Sequence, residues 1–323
     1  MLPLSDLVNA RSIVSRAMAP TPQYQWPLLC EAIGTDIRVK HENHTPTGAF
    51  KVRGGLVYVE RLLKQEPDIA GLVCATRGNH GQSIAFAAKR AGLLCRIVVP
   101  HGNSREKNAA MRAFGGEVIE HGQDFDDAFA EARRMAQADG LHLVPSFHPD
   151  LVAGVGTYGL ELFEAEPDLD IVYAPVGLGS GLCGLIAARD GLGASARIVG
   201  VVSDKADAYA RSFAAGRVVE VDHIATFADG IAVREPHAEA LDVIRRGAET
   251  VVTVSEDAIA DAIRLYYRAT HNIAEGAGAA ALAAAMQDKT DLTGKKVGVI
   301  LCGQNIDTDW YADVLGGGTP VPR

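Results

Sequence analysis

Short runs of β-branched and aliphatic residues alternate along this chain with longer stretches whose apolar positions recur every three or four residues. Solid apolar runs set between helical periodicity are the mark of a parallel sheet buried on both faces by helices. The runs predict strands at 36–41, 71–75, 95–100, 117–120, 142–145, 171–175, 198–202, 250–254 and 296–301. Helices are expected between most of them. Residues 124–138 space alanine, phenylalanine and methionine on one helical face, and Ser255 opens SEDAIADAIRLYYRA as an N-cap followed by Glu256 and Asp257. The segment EGAGAAALAAA predicts a closely packed helix, and no repeat or flexible linker announces a domain boundary.

At 323 residues, the chain has room for about two domains or one large α/β unit. Its 48% hydrophobic and 22% charged residues are ordinary globular composition, which excludes wholesale disorder. Against 40 acidic residues stand 31 Lys and Arg, a net charge of −9 that is the wrong sign for a nucleic-acid binder. The N-terminal segment MLPLSDLVNARSIV lacks a basic start and an apolar run, and Gly276 to Met286 is too short to span a bilayer, so neither secretion nor a membrane partner is expected. Cys30, Cys74, Cys95, Cys183 and Cys302 are odd in number and widely spaced, which suits reduced thiols in a cytoplasm. No CxxC pair offers a zinc site.

Three loops that follow predicted strands carry the candidate chemistry: Thr76-Arg-Gly-Asn-His-Gly-Gln82, Gly177-Leu-Gly-Ser-Gly-Leu-Cys-Gly184 and Cys302-Gly-Gln-Asn305. Ligands of open α/β sheets bind outside the carboxyl ends of strands. The second loop opens a helix, where free amides meet an anion, and a phosphate would sit there. It also fits GxGxxG, with Asp204 ending the next strand, so a dinucleotide-dependent NAD(P) oxidoreductase is a competing expectation. A fourth loop, HENHTPTGAFKVRGG, sets Lys51 between Phe50 and Val52. Held against apolar neighbours, such a lysine loses its proton and can attack an aldehyde; otherwise it snorkels to solvent.

The stretch from Lys40 to Gly54 closely resembles the lysine loop of the fold type II pyridoxal phosphate enzymes, the family of serine and threonine dehydratases, serine racemase and the β-synthases. Gly78-Asn-His-Gly-Gln82 resembles their asparagine loop and Gly177 to Gly184 their phosphate cup. Thr226-Phe-Ala-Asp-Gly-Ile-Ala-Val233 resembles the TIADGIAV segment, and Cys302-Gly-Gln-Asn305 the SGGN loop. The resemblance implies a tryptophan synthase β-like fold of two open-sheet α/β domains with the cofactor in the cleft between them. Residues 47–146 would form the small domain, and residues 1–46 with 147–323 the large one.

By the same resemblance Lys51 forms the Schiff base with pyridoxal 5'-phosphate and, once freed by the substrate amine, takes the Cα proton. Phe50 would pack on the ring or serve as ordinary core. Asn79 would bond the phenolic oxygen, and the amides of Gly177, Leu178, Gly179, Ser180 and Gly181 would hold the phosphate. Gly230 would form one wall beside the cofactor. Cys302 stands where many relatives place serine opposite the pyridine nitrogen; a thiol cannot hold a pyridinium, which favours prompt β-elimination. Thr76, Arg77, Gly78, Asn79 and His80 would bind the substrate carboxylate at a helix beginning near Gln82. Glu275 would lie near the ring or merely cap its helix.

The implied activity is dehydration and deamination of L-threonine or L-serine, with the amino acid as the small-molecule partner and a cytoplasmic homodimer as the assembly. Arg77 replaces the second serine of serine racemase, which puts racemisation in doubt and keeps phenylserine or 3-hydroxyaspartate as alternative substrates. The racemase's metal carboxylate falls near Val202, so no metal site is carried over. The chain leaves no room for an appended regulatory domain, and feedback control is not expected.

Overall fold

The computed structural model describes residues 2–322. Ten strands form two sheets: β1 Gln23–Gln25, β2 Asp36–His41, β3 Gly71–Ala75, β4 Leu94–Val99, β5 Glu117–Glu120, β6 His142–Leu143, β7 Ile171–Pro175, β8 Arg197–Ser203, β9 Thr250–Val254 and β10 Lys296–Leu301. The larger sheet runs β1-β2-β10-β7-β8-β9 and the smaller β5-β4-β3-β6. Every pair is parallel except β1 on β2.

Parallel strands must be covered on both faces, and alternate residues of β3 show how. Leu72 and Cys74 pack with Ile84, Ile97 and Met111, whereas Val73 and Ala75 pack with Val98, Ala128 and Ala132 on the other side. The helix Phe125–Asp139 supplies that second face, capped by Asp124, and Ser255 caps Glu256–Thr270 as the pattern predicts. The alanine-rich Gly276–Gln287 helix is buried along most of its length against the larger sheet. Helices Lys51–Gln65 and Pro149–Ala165 touch backbone to backbone: a Cβ on Gly154 would stand 2.3 Å from the Arg53 carbonyl oxygen. Among the described residues no helix is long and apolar enough to cross a membrane.

In sheet order β2, β10 and β7 are neighbours, so the loops after them emerge side by side. The lysine loop is stitched to the loop after β10: Phe50 N donates to Cys302 O at 3.0 Å and Gln304 N to Gly48 O at 2.9 Å. His41 closes β2 with its ring buried, accepting from Trp26 Nε1 at 3.0 Å. Burial, and then nearby His44, push its pKa down to about 4. An unfolded histidine titrates near 6.5, so between that value and 4 the unfolded chain binds the extra proton and stability falls with pH. At pH 5 His41 alone should remove roughly 2 kcal/mol, at about 1.4 kcal/mol per pKa unit. Urea midpoints at pH 7 and pH 5 will show it as a slope that His41→Asn flattens; an equal slope in the variant would refute the assignment.

Candidate active site

A cavity of about 460 Å³ opens at the carboxyl ends of the strands. Lys51, Thr76, Arg77, Gly78, Asn79, His80, Leu178 and Gly230 all line it, with Lys107 and Asp229. The other expected residues stand behind this surface. Phe50 packs edge-on to Tyr158, and a Cβ on Gly181 would come within 3.2 Å of its ring. Gly177 abuts the carbonyl of Gly230, Gly179 faces Ala240 and the Tyr209 hydroxyl, and Cys302 follows the end of β10.

Lys51 begins its helix, and its Nζ lies 5.0 Å from the centre of the Phe50 ring. Among the described residues that Nζ has no hydrogen bond or ion pair, although Ser83 Oγ donates to the Lys51 carbonyl at 2.6 Å. Burial lowers its pKa, more than Cys302 and Glu275 raise it, so the amine is poised to be neutral. Burial likewise pushes the Cys302 thiol well up, and the sulfur stays protonated.

The turn from β7 into helix Ser180–Leu192 is built on Gly179, whose φ of +101° suits glycine. The amides of Gly177, Leu178, Gly179, Ser180 and Gly181 donate to no acceptor among the described residues. Five free amides at a helix start form a cradle for an anion.

Thr76 shapes the third wall. Its Oγ1 accepts from Gly78 N at 2.9 Å and Gly81 N at 3.3 Å. The helix starts at Asn79, three residues before the expected Gln82, because those two bonds already turn the backbone. The amides of Asn79 and His80 are therefore left free toward the cavity side of the helix start. The Asn79 side chain is fixed at both ends: Nδ2 donates to Glu275 Oε1 at 2.6 Å and Oδ1 accepts from Asn305 Nδ2 at 2.8 Å. His80 has a buried Nε2 without a partner, and burial, with Lys51 nearby, pushes its pKa down to about 3. It is a neutral ring here.

Glu275 precedes its helix without capping it through its side chain. Its carboxylate instead turns inward, with its pKa raised by burial and pulled back by Lys107, whose Nζ lies 3.4 Å from Glu275 Oε2 and 2.8 Å from Asp229 Oδ2. Lys107 escaped the sequence reading because it sits in REKNAAMR, which looks like an exposed helix face. The one local signal is Gly78, where a Cβ would strike the Lys107 stem at 2.5 Å.

A family model described as pyridoxal-phosphate dependent enzyme matches residues 14–303. The chain belongs to that family. It is 34% identical over 319 residues to the L-threonine ammonia-lyase of Thermotoga maritima, covering 98% of this chain and 79% of the relative. It is 30% identical over 313 residues to the L-threo-3-hydroxyaspartate ammonia-lyase of Saccharomyces cerevisiae, covering 97% and 96%. The processed form of threonine deaminase isoform 2 from Solanum lycopersicum has the same fold, with TM-score 0.90, 29% identity and coverage of 97% and 92%. The expectation of a two-domain fold type II architecture is met, and the dinucleotide alternative falls. Asp204, on which that alternative rested, is exposed and lines no part of the cavity.

The residues present suit pyridoxal phosphate. An amine whose pKa burial lowers suits its aldehyde, five orphan amides suit its phosphate, and the fixed amide side chain of Asn79 lines the same cavity as Lys51.

Proposed function

We propose that the protein is a pyridoxal phosphate-dependent ammonia-lyase that dehydrates and deaminates a β-hydroxy α-amino acid, L-threonine or L-serine by default, to a 2-oxo acid and ammonia. The observation that carries this reading is the half-buried, partnerless amine of Lys51 opening onto the same cavity as the free amides of Asn79 and His80. The similarity to threonine ammonia-lyases over nearly the whole chain supports it.

Bound pyridoxal phosphate would supply an electron sink conjugated with the substrate Cα. Lys51 would hold it covalently and, once released, receive the Cα proton at Nζ. The amides of 177–181 and the Ser180 hydroxyl would hold the phosphate, with Gly230 walling the site behind Gly177. Asn79, locked by Glu275 and Asn305, would offer its remaining N–H to the phenolic oxygen. Cys302, whose thiol burial keeps protonated, would offer the ring nitrogen a weak hydrogen-bonding group in place of a carboxylate. The free amides of Asn79 and His80 would orient the substrate carboxylate.

In the same proposal residues 47–146 form the small domain, a limit supported by the confinement of the smaller sheet to 71–143, and the enzyme is a cytoplasmic homodimer. Light scattering after gel filtration tests the dimer. A second reading keeps the reaction and changes the side chain: Arg77 lines the cavity, and the yeast relative's named substrate is acidic.

The reaction is tested by the visible absorption of the purified protein before and after borohydride, with peptide mapping and an ammonia assay. The expected result is a band that bleaches, a pyridoxyl group on Lys51 and ammonia from threonine or serine. A protein that stays colourless with added pyridoxal phosphate sinks the reading.

A further inference from the structure

Two separate groups on one loop call for an anion. The first is the pair of free amides at Asn79 and His80, which suffice for the α-carboxylate every amino acid carries. The second is the guanidinium of Arg77, partly buried and lining the main cavity as well as the smaller chamber beside it.

The other cations of the cavity are already spoken for. Lys107 is held by Asp229 and Glu275, and Arg234 on the rim faces Asp126 and Glu220 at 3.6 Å each. Burial lowers the pKa of Lys51, whose amine is committed to the cofactor in the reaction proposed above. Among the described residues that line this cavity, Arg77 is the guanidinium with no hydrogen bond and no carboxylate partner. Guanidinium cannot shed its proton in a protein, so a partly desolvated one is stabilised only by an anion brought to it. Asp124, Asp126, Glu220 and Glu235 also line this cavity, but Asp126 and Glu220 are turned to Arg234.

We propose that Arg77 is a specificity-determining residue that receives a carboxylate on the substrate side chain, so that the preferred substrate class is β-hydroxy amino acids of the 3-hydroxyaspartate type. This rests on the ammonia-lyase reading for its chemistry, but the binding of a second carboxylate does not. The planar fork of Arg77 matches a carboxylate with two parallel hydrogen bonds, whereas a threonine methyl leaves it unpaired.

The test uses the cofactor-loaded enzyme and two measurements. Calorimetry compares succinate with propionate, which differ by one carboxylate and need no catalysis. Kinetics compares L-threo-3-hydroxyaspartate with L-threonine. The expected results are succinate binding at least tenfold tighter than propionate, and kcat/KM higher for hydroxyaspartate. Arg77→Ala should abolish both preferences, chiefly through the KM for hydroxyaspartate; Arg77→Lys should restore part of each.

Equal binding of succinate and propionate, or a parent enzyme that prefers threonine, overturns the proposal. So does an Arg77→Ala variant that weakens all four compounds alike, which would place Arg77 on the α-carboxylate. Arg77-dependent succinate binding without ammonia from any hydroxy amino acid would instead leave this site standing and remove the reaction assigned above.

Discussion

Replacing Lys51 by alanine is expected to slow ammonia release by at least ~10⁴-fold, the upper end of what one positioned acid–base group supplies, because the same amine must also anchor the cofactor. No neighbouring group can take over. His80 is neutral and far too weak a base, with its pKa near 3, Cys302 keeps its proton, and Lys107 is held charged by Asp229 and Glu275. The variant should nevertheless fold. Lys51 has no ion pair whose loss would strand a partner, and its buried amine opposes folding, since the unfolded lysine keeps its proton and its hydration. The thermal midpoint of the cofactor-free variant should therefore stay within a few degrees of the parent's. A variant that kept one tenth of parental kcat would show that the proton leaves Cα to another base.

Apolar pattern made much of this molecule legible. All nine expected strands form, with ends shifted by a residue or two, because fully buried parallel strands must be continuous apolar runs. The strand that was missed, β1, is Gln-Tyr-Gln: its place is fixed by backbone pairing to Arg38, Val39 and Lys40, which leaves no mark on side-chain pattern. β6 stops after Leu143, although Val144 N still bonds Val73 O, and Pro145 cannot continue the ladder.

The site divides along the same line. Glycine loops and Lys51 are local motifs and could be read directly. Lys107 and Asp229 meet across 122 positions, and Arg53 and Glu161 across 108, so residues that look solvated in their own segments end up buried together. Glu275 is the intermediate case: its place before a helix suggested a cap, but the cap geometry goes unused and the carboxylate braces Asn79 instead.

The largest stability effect should come from that second hidden cluster. Arg53 is fully buried two residues after Lys51. Its Nε donates to Glu42 at 2.7 Å, Nη1 to Glu161 at 2.7 Å and Thr157 at 3.0 Å, and Nη2 to Glu161 at 2.8 Å and Glu42 at 3.0 Å. Lys40 joins through Glu161 at 2.6 Å and the Thr21 carbonyl at 2.8 Å. Two cations thus face two carboxylates in one box without bulk water. The carboxylates hold Arg53 above its ordinary pKa and Arg53 holds Glu161 below its own, while burial lowers Lys40.

Arg53→Met keeps the volume and removes one charge, leaving two buried carboxylates to one ammonium. Breaking a buried pair in this way costs about 3–5 kcal/mol, more than the net worth of the pair, because the stranded carboxylate has lost its water. The expected loss should appear as a lower urea midpoint at pH 7. Adding Glu42→Gln to Arg53→Met should return part of it, since the uncompensated charge goes with the carboxylate. A single variant that lost under about 1 kcal/mol would mean that water enters the box and relieves it. A double variant as unstable as the sum of the singles would mean that packing, not charge balance, holds Lys51's helix against Pro149–Ala165.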